Sequence, residues 1–348
     1  MSDVVRALYF VAPRQVEIRD ETLAEPGPRK IVVQTLVSAI SPGTEMLIYR
    51  GEMPQRGKTD ETIAALAGEL RYPLKYGYAT VGRVVEVRPN EQNENSLAWW
   101  RNRLVFSFQP HQTHFLATPD QLIPLPDDIS PEQAVFLPNM ETAVNFVMDG
   151  HPLIGERVIV FGQGIVGLLT TALLAQFPLS NLTTLDYFPQ RRNASLDAGA
   201  HQSISPEFLR EGTSTYDFPS PPFDLAYELT GSPEALNDAI AVTGFDGRVV
   251  IGSWYGQKRA PLELGGYFHR SRIRLISSQV STIGPQFSGR WDKARRFEVA
   301  WEMLRRIKPE KWVTHQFPFA RAREAYEVVD QQAETTMQVI LNYEDGDL

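Results

Sequence analysis

The spacing of apolar and polar positions divides the chain into three stretches, with breaks near residues 131 and 284. Residues 1–128 hold short runs rich in Val, Ile and aromatic side chains at 7–11, 15–19, 30–39, 81–87 and 104–108, separated by Gly and Pro. Runs of that length, punctuated by turn formers, predict β-strands in a compact barrel-like or partly open sheet. A short helical patch is expected at 61–69 and a polar surface loop at 90–96. Trp99-Trp100 reads as local packing.

From residue 131 the period changes. Ser130 is placed to cap a helix with Pro131 at its first position, and 134–148 continues as a helix. The apolar run 158–161 then enters Gly162-Gln163-Gly164-Ile165-Val166-Gly167, and a small, apolar segment follows to Leu174. That order predicts a buried strand, a tight turn and a buried helix. Gly162 permits the turn, Gly164 lets a pyrophosphate approach the backbone, and Gly167 lets helix and strand pack closely. The new helix offers unpaired N–H groups and a partial positive charge, which suit a phosphate. Residues 158–177 carry no charge and are long enough to span a bilayer. Interior glycines, Gln163 and the strand-then-helix order favour a βαβ unit buried on both sheet faces instead.

Further strands are expected at 182–185, 224–230, 248–253 and 274–280, with helices at 190–198 and 233–242. Alternation of this kind predicts an α/β domain, a doubly wound parallel sheet with ligands at the carboxyl ends of its strands. After 284 come an amphipathic helix at 291–307, a strand at 314–317, a helix at 320–331 and a strand at 338–341. The nucleotide-binding sheet is complete without this tail, so the tail is expected to rejoin the first domain. The division is therefore 1–130 with 285–348 as a β-rich domain, and 131–284 as a dinucleotide-binding domain.

The second half of the dinucleotide fingerprint is Asp186, 19 residues beyond Gly167, closing an apolar strand where a ribose-binding carboxylate belongs. Its charge accepts ribose hydroxyls and repels a 2′-phosphate, which favours NAD. Arg191 and Arg192 lie close enough to keep NADP open. The coenzyme is expected to meet Gly162, Gln163, Gly164, Ile165, Val166 and Gly167 at the turn, and Asp186, Tyr187 and Arg191 beyond the second strand. Thr230, Gly231, Gly252 and Ser253, at two further strand ends, are expected on the nicotinamide side or as plain turn residues.

Length and composition narrow the class. A chain of 348 residues has room for about two domains. Its net charge of −8 argues against nucleic acid or an anionic membrane as a general partner. Cysteine is absent, which excludes disulfides, thiol nucleophiles and cysteine-ligated zinc. The first ten residues lack the features of a signal peptide, so a cytoplasmic protein is expected.

This organisation resembles the medium-chain dehydrogenase/reductase superfamily over nearly the whole chain, which implies a Rossmann domain and a β-rich, GroES-like catalytic domain. In that family a Gly-His-Glu-x-x-Gly-x-Val motif supplies a catalytic zinc ligand. Here the stretch is Gly77-Tyr78-Ala79-Thr80-Val81-Gly82-Arg83-Val84, so Tyr78 and Ala79 replace the histidine and glutamate. The earlier cysteine ligand falls near Ser41, and the cysteine-rich structural lobe is missing. No metal is therefore expected. Ser41-x-Gly43-Thr44-Glu45, Arg50-Gly51-x-Met53-Pro54, Phe268-His269-Arg270 and Ser277-Ser278-Gln279 look like the bacteriochlorophyllide hydroxyethyl dehydrogenase branch. That branch oxidises a hydroxyethyl group on a large ring with NAD. Family analogy also implies a homodimer through the strand at 274–280. His111 and His114 form the one close histidine pair, on an extended segment that points them to opposite faces.

Without zinc, hydrogen-bond donors must stabilise the charge that develops on a substrate oxygen. By motif position Tyr78, Ser41 and Thr44 are the candidates, with Tyr78 as proton donor in the reductive direction. An unperturbed phenol, with a pKa of about 10, is a poor base near neutral pH. Tyr78 has an alternative reading as an aromatic packed at the sheet edge. Glu45 either orients this group or caps local backbone, and His111 could join a relay. Three functions fit: a zinc-independent NAD(P)-dependent oxidoreductase acting on an alcohol or ketone of a sizeable small-molecule substrate, an NADPH-dependent enone or quinone reductase, or a dinucleotide-binding sensor or structural protein without turnover.

Overall fold

The computed structural model describes residues 4–24, 30–53, 66, 68–87, 97–210 and 223–343. The loop expected at 90–96 lies outside these residues, as does most of 61–69. The chain divides into two compact units, residues 1–138 with 308–348, and residues 139–307.

The first unit opens with an antiparallel hairpin, β1 (Val4–Ala12) and β2 (Gln15–Thr22), then β3 (Ile31–Ile40) and the short helix α1 (Thr44–Arg50). β4 (Thr80–Val87), β5 (Leu104–Ser107), β6 (His114–Ala117) and β7 (Ile123–Pro124) follow, and α2 (Pro131–Ala134) ends its N-terminal part. Ser130 caps α2 as its sequence predicts, its Oγ accepting the N–H of Gln133 at 3.2 Å. The expected helix at 134–148 is broken between α2 and α3 (Leu137–Gly150).

The second unit then alternates strand and helix as far as β12. β8 (Arg157–Phe161), α4 (Ile165–Leu174), β9 (Asn181–Leu185), α5 (Pro189–Asp197), β10 (Gln202–Ile204) and α6 (Glu207–Arg210) make its first half. β11 (Phe223–Glu228), α7 (Ala235–Val242), β12 (Thr243–Ile251), β13 (Arg274–Ser277) and α8 (Lys293–Ile307) make its second. All six strands are parallel in the order β10-β9-β8-β11-β12-β13. This is the doubly wound order, and its direction reverses between β8 and β11, where such folds open a crevice beyond the strand ends. Val158, Ile159 and Val160 are fully buried, as a strand covered on both faces requires. Among the described residues no helix is long and apolar enough to cross a membrane. The uncharged run 158–177 is shared between β8, the glycine turn and the ten-residue α4.

The chain returns to the first unit with β14 (Val313–Pro318), α9 (Ala322–Gln331) and β15 (Gln338–Asn342). β15 inserts between β14, parallel to it, and β3, antiparallel to it, in a sheet that continues through β4, β5 and β7. The division of the chain differs from the expected one chiefly at α8, which sits with the second unit and not with the tail. Its Ala300, Trp301 and Leu304 are buried, it packs on α4, and the buried Arg296 pairs with Glu141 of α3 at 2.7 Å.

Candidate functional site

Two groups of the predicted residues assemble, one in each unit. In the second unit the glycine turn joins β8 to α4. Gly162 has φ +87°, and a Cβ there would lie 2.7 Å from the carbonyl oxygen of Leu229. A Cβ at Gly167 would sit 2.0 Å from the carbonyl oxygen of Gly162, so only glycine lets the helix come this near. At Gly164, which caps α4, a Cβ would meet no atom within 4 Å, so the backbone lies open to an approaching group. The Gln163 side chain points inward: its Nε2 donates to the carbonyl of Gly162 at 3.0 Å and its Oε1 accepts from Thr171 Oγ1 at 3.0 Å. Ile165 is likewise buried and Val166 partly so. These residues therefore present backbone, not side chain, to a phosphate.

Asp186 follows β9 and is tied back to this turn. Its Oδ2 accepts the N–H of Gln163 at 2.8 Å and its Oδ1 the N–H of Phe188 at 2.9 Å. Arg191 Nη1 lies 4.0 Å from Asp186 Oδ2, and its guanidinium stands 5.0 Å from the Phe188 ring. Burial pulls the Arg191 guanidinium below its usual value, and Asp186 opposes that shift. Arg192 is turned elsewhere, donating to the carbonyls of Asp186 and Tyr187 at 2.9 and 2.7 Å. Tyr187 is exposed. Of the two arginines, only Arg191 stands beside the acid.

At the carboxyl ends of β11 and β12, Thr230, Gly231, Gly252 and Ser253 gather around a residue that the sequence reading missed, the fully buried Glu228. Its Oε1 accepts Thr230 N–H at 2.8 Å and Thr230 Oγ1 at 2.5 Å, and its Oε2 accepts the Tyr255 hydroxyl. Gly252 N–H donates to the Glu228 carbonyl at 3.0 Å, and Gly231 N–H to Ser253 Oγ at 2.9 Å. Burial and the Glu228 carboxylate push the Tyr255 phenol far above its ordinary value. An acid closing the run Phe223-Asp-Leu-Ala-Tyr-Glu228 was the signal available in the sequence.

In the first unit Ser41 follows β3, Thr44 opens α1 and Tyr78 precedes β4, and the three meet. The Tyr78 hydroxyl donates to Ser41 Oγ at 2.6 Å and Thr44 N–H donates to Ser41 Oγ at 3.3 Å. Beneath them lies a buried polar network. Glu45 Oε1 accepts Ser41 N–H at 3.0 Å, while its Oε2 takes the Tyr326 hydroxyl at 2.5 Å and faces His111 Nε2 at 2.9 Å. His111 Nδ1 lies 2.6 Å from Ser38 Oγ, which in turn lies 2.9 Å from the Tyr343 hydroxyl. Burial pushes the Tyr78 phenol up to about 12; the Ser41 and Thr44 hydroxyls oppose the shift and the Glu45 charge adds to it. Tyr78 therefore holds its proton across the physiological range, a state suited to donating a proton and not to accepting one.

The residues at the family's zinc positions do not fit that ion. Ser41 and Tyr78 are neutral hydroxyls bonded to each other, and Ala79 offers a methyl, where zinc takes thiolate, imidazole or carboxylate. The imidazole and carboxylate nearby are committed to each other, to Ser38 and to Tyr326. His114 bonds Thr113 and does not converge with His111. Among the described residues no group of three or more His, Asp or Glu is placed to hold a metal ion.

No protein-family model matches the chain. It is similar to starvation-sensing protein RspB of Escherichia coli K12, with 22% identity over 222 residues, 63% of this chain and 61% of that protein. The match thus spans about three fifths of that relative's length. L-threonine 3-dehydrogenase of Xanthomonas campestris pv. campestris strain B100 is 22% identical over 266 residues, 69% of this chain and 74% of that protein. The RspB alcohol dehydrogenase of E. coli CFT073, solved with the cofactor NADH, superposes with a TM-score of 0.75 at 17% identity, covering 98% of this chain and 100% of that one. The threonine relative and the solved neighbour are named as dehydrogenases, and this chain has the fold of that neighbour.

Proposed function

We propose that the protein is an NAD(P)-dependent oxidoreductase that interconverts an alcohol and a ketone on a sizeable organic substrate without zinc. The observation that carries this reading is the Tyr78–Ser41–Thr44 hydroxyl cluster, which stands where the resembled family holds its metal. The second unit binds the dinucleotide, with the pyrophosphate on the backbone from Gly162 to Gly167 and the ribose at Asp186. NAD is the preferred coenzyme, because the Asp186 carboxylate accepts ribose hydroxyls and repels a 2′-phosphate, while Arg191 beside it keeps NADP open. Thr230, Gly231, Gly252 and Ser253 form the rim at the nicotinamide end.

The nicotinamide supplies the hydride. In the reductive direction the Tyr78 hydroxyl donates its proton to the substrate oxygen. The Ser41 and Thr44 hydroxyls then hydrogen-bond the phenolate, which offsets part of the cost of forming it in a buried setting. The same donor would serve an enolate, so reduction of an enone or quinone is the second reading. A homodimer through the edge strand β13 is part of the proposal, and a monomeric mass in solution scattering would remove it.

A steady-state panel of bulky ketones, enones and quinones with NADH and NADPH tests the reading. Ketone turnover is expected, with kcat falling about 100-fold or more in Tyr78→Phe. Turnover confined to enones or quinones would transfer the assignment to the second reading. Saturable coenzyme binding with no hydride transfer from isotope-labelled NADH would leave a non-catalytic binding protein. Activity that is lost on chelation and restored by zinc would refute the metal-free mechanism.

A further inference from the structure

We propose that the buried Glu45–His111 pair is the positioning element that holds the Tyr78–Ser41 hydroxyl pair in register, an inference that rests on the donor role assigned to Tyr78 above. Both side chains have no exposed surface. A carboxylate and an imidazole withdrawn from water this completely are costly to desolvate, and only good mutual geometry offsets that cost. Their placement gives them purchase on the site from two sides.

On one side, Glu45 Oε1 accepts the N–H of Ser41 at 3.0 Å. Ser41 lies just past the end of β3, beyond the sheet ladder, so this bond fixes the backbone that carries the Oγ acceptor. On the other side, the His111 ring lies against Gly77, the residue before Tyr78. A Cβ at Gly77 would sit 2.8 Å from His111 Cδ2, and Gly77 has φ +131°. Only glycine lets the strand entrance lie flat on that ring. The acid sets Ser41 and the imidazole sets the approach to Tyr78, while the 2.9 Å bond between acid and imidazole makes the two settings one.

The rest of the network fixes the pair. Tyr326 from α9 donates to Glu45 Oε2, and Tyr343, just past β15, reaches His111 through Ser38 of β3. The groups facing Tyr78 are Ser41, Thr44 and Glu45, with the Tyr76 ring edge-on at 6.3 Å; Glu45 is the charged one among them. Its charge keeps the proton on Tyr78 as well as keeping the geometry. A residue with a purely structural role would do only the second.

The test uses full-length protein labelled with [13Cζ]tyrosine, with the Tyr78 resonance identified by its absence in Tyr78→Phe. Neither measurement needs a substrate, so failure here and failure of the oxidoreductase reading are told apart. In wild type the Tyr78 resonance is expected not to titrate by pH 11. In Glu45→Gln, which keeps the shape and removes the charge, the resonance is expected to begin titrating below pH 11. A folded Glu45→Gln protein whose Tyr78 resonance is as insensitive to pH as wild type overturns the proposal. Should that variant fail to fold, amide exchange in wild type decides. Ser41 N–H is expected to be protected like the interior amides of β3, and exchange at the unprotected rate overturns the proposal.

Discussion

The backbone N–H of Gln163 donates to Oδ2 of Asp186 at 2.8 Å, so the acid at the end of β9 is anchored on the glycine turn it is meant to complement. The other oxygen takes the N–H of Phe188 at 2.9 Å. A carboxylate has about four acceptor sites, which leaves capacity for ribose hydroxyls after both backbone bonds are made. Asp186→Asn must set its amide N–H2 against one of those backbone donors. We expect a stability loss of about 1–3 kcal/mol in denaturant titration and a shift of coenzyme preference toward NADPH in fluorescence titration. Unchanged preference would separate Asp186 from the ribose.

Gly164 and Gly167 stand three residues apart and should fail in different ways. A methyl at Gly164 enters open space, so Gly164→Ala should change stability by less than about 0.5 kcal/mol. NADH affinity should nonetheless fall about tenfold or more, because the methyl occupies the pyrophosphate approach. Gly167→Ala forces α4 away from the carbonyl of Gly162 and should cost about 1–3 kcal/mol before any ligand is added. Thermal melts with and without NADH distinguish the two.

Alkaline pH should destabilise the protein through its tyrosines. Tyr78 and Tyr9 are both pushed up to about 12, chiefly by burial, and Tyr49, Tyr72, Tyr227, Tyr255 and Tyr326 are also raised. An unfolded tyrosine releases its proton near a pH of about 10. Between that pH and the folded value the unfolded chain binds fewer protons, so stability falls as pH rises; below it the contribution is complete. Tyr78→Phe should shallow the decline by up to about 1.4 kcal/mol per pH unit. Urea titrations across that range measure the slope.

Arg296 has no exposed surface and reaches Glu141 Oε1 at 2.7 Å, Asn145 Oδ1 at 2.7 Å and the carbonyls of Val280 and Thr282. Arg296→Met leaves the Glu141 carboxylate buried without its cation and should cost about 3–5 kcal/mol. The double variant Arg296→Met/Glu141→Leu should recover much of that loss. Additive losses in the double-mutant cycle would show that the two residues act independently.

The sequence made the architecture readable where local pattern suffices. The uncharged run of β8, the glycine turn and the Ser130 cap each declare themselves within a few residues. The amphipathic face of α8 announces that a partner exists and not which one, so its place beside α3 and α4 was hidden. Three-residue β10 is too short to show an alternation. The network under Tyr78 was hidden for the same reason on a larger scale: Tyr326 bonds an acid 281 positions away, and Tyr343 bonds a serine 305 away. Glu45 and His111 carried chemistry in the sequence, but their mutual commitment appears only once the chain closes on itself.

The insertion of β15 between β14 and β3 has a consequence for biosynthesis. Residues 139–307 form one uninterrupted segment and can mature while synthesis continues. The first unit must wait, since β6 covers that edge of β3 only over Ile31–Gln34, and Val37–Ile40 have no partner there until residues near 340 leave the ribosome. For that interval the apolar end of β3, made early in translation, stands unprotected on one side. A premature stop before Gln338 should therefore yield an aggregating product in which the coenzyme-binding half is nonetheless folded.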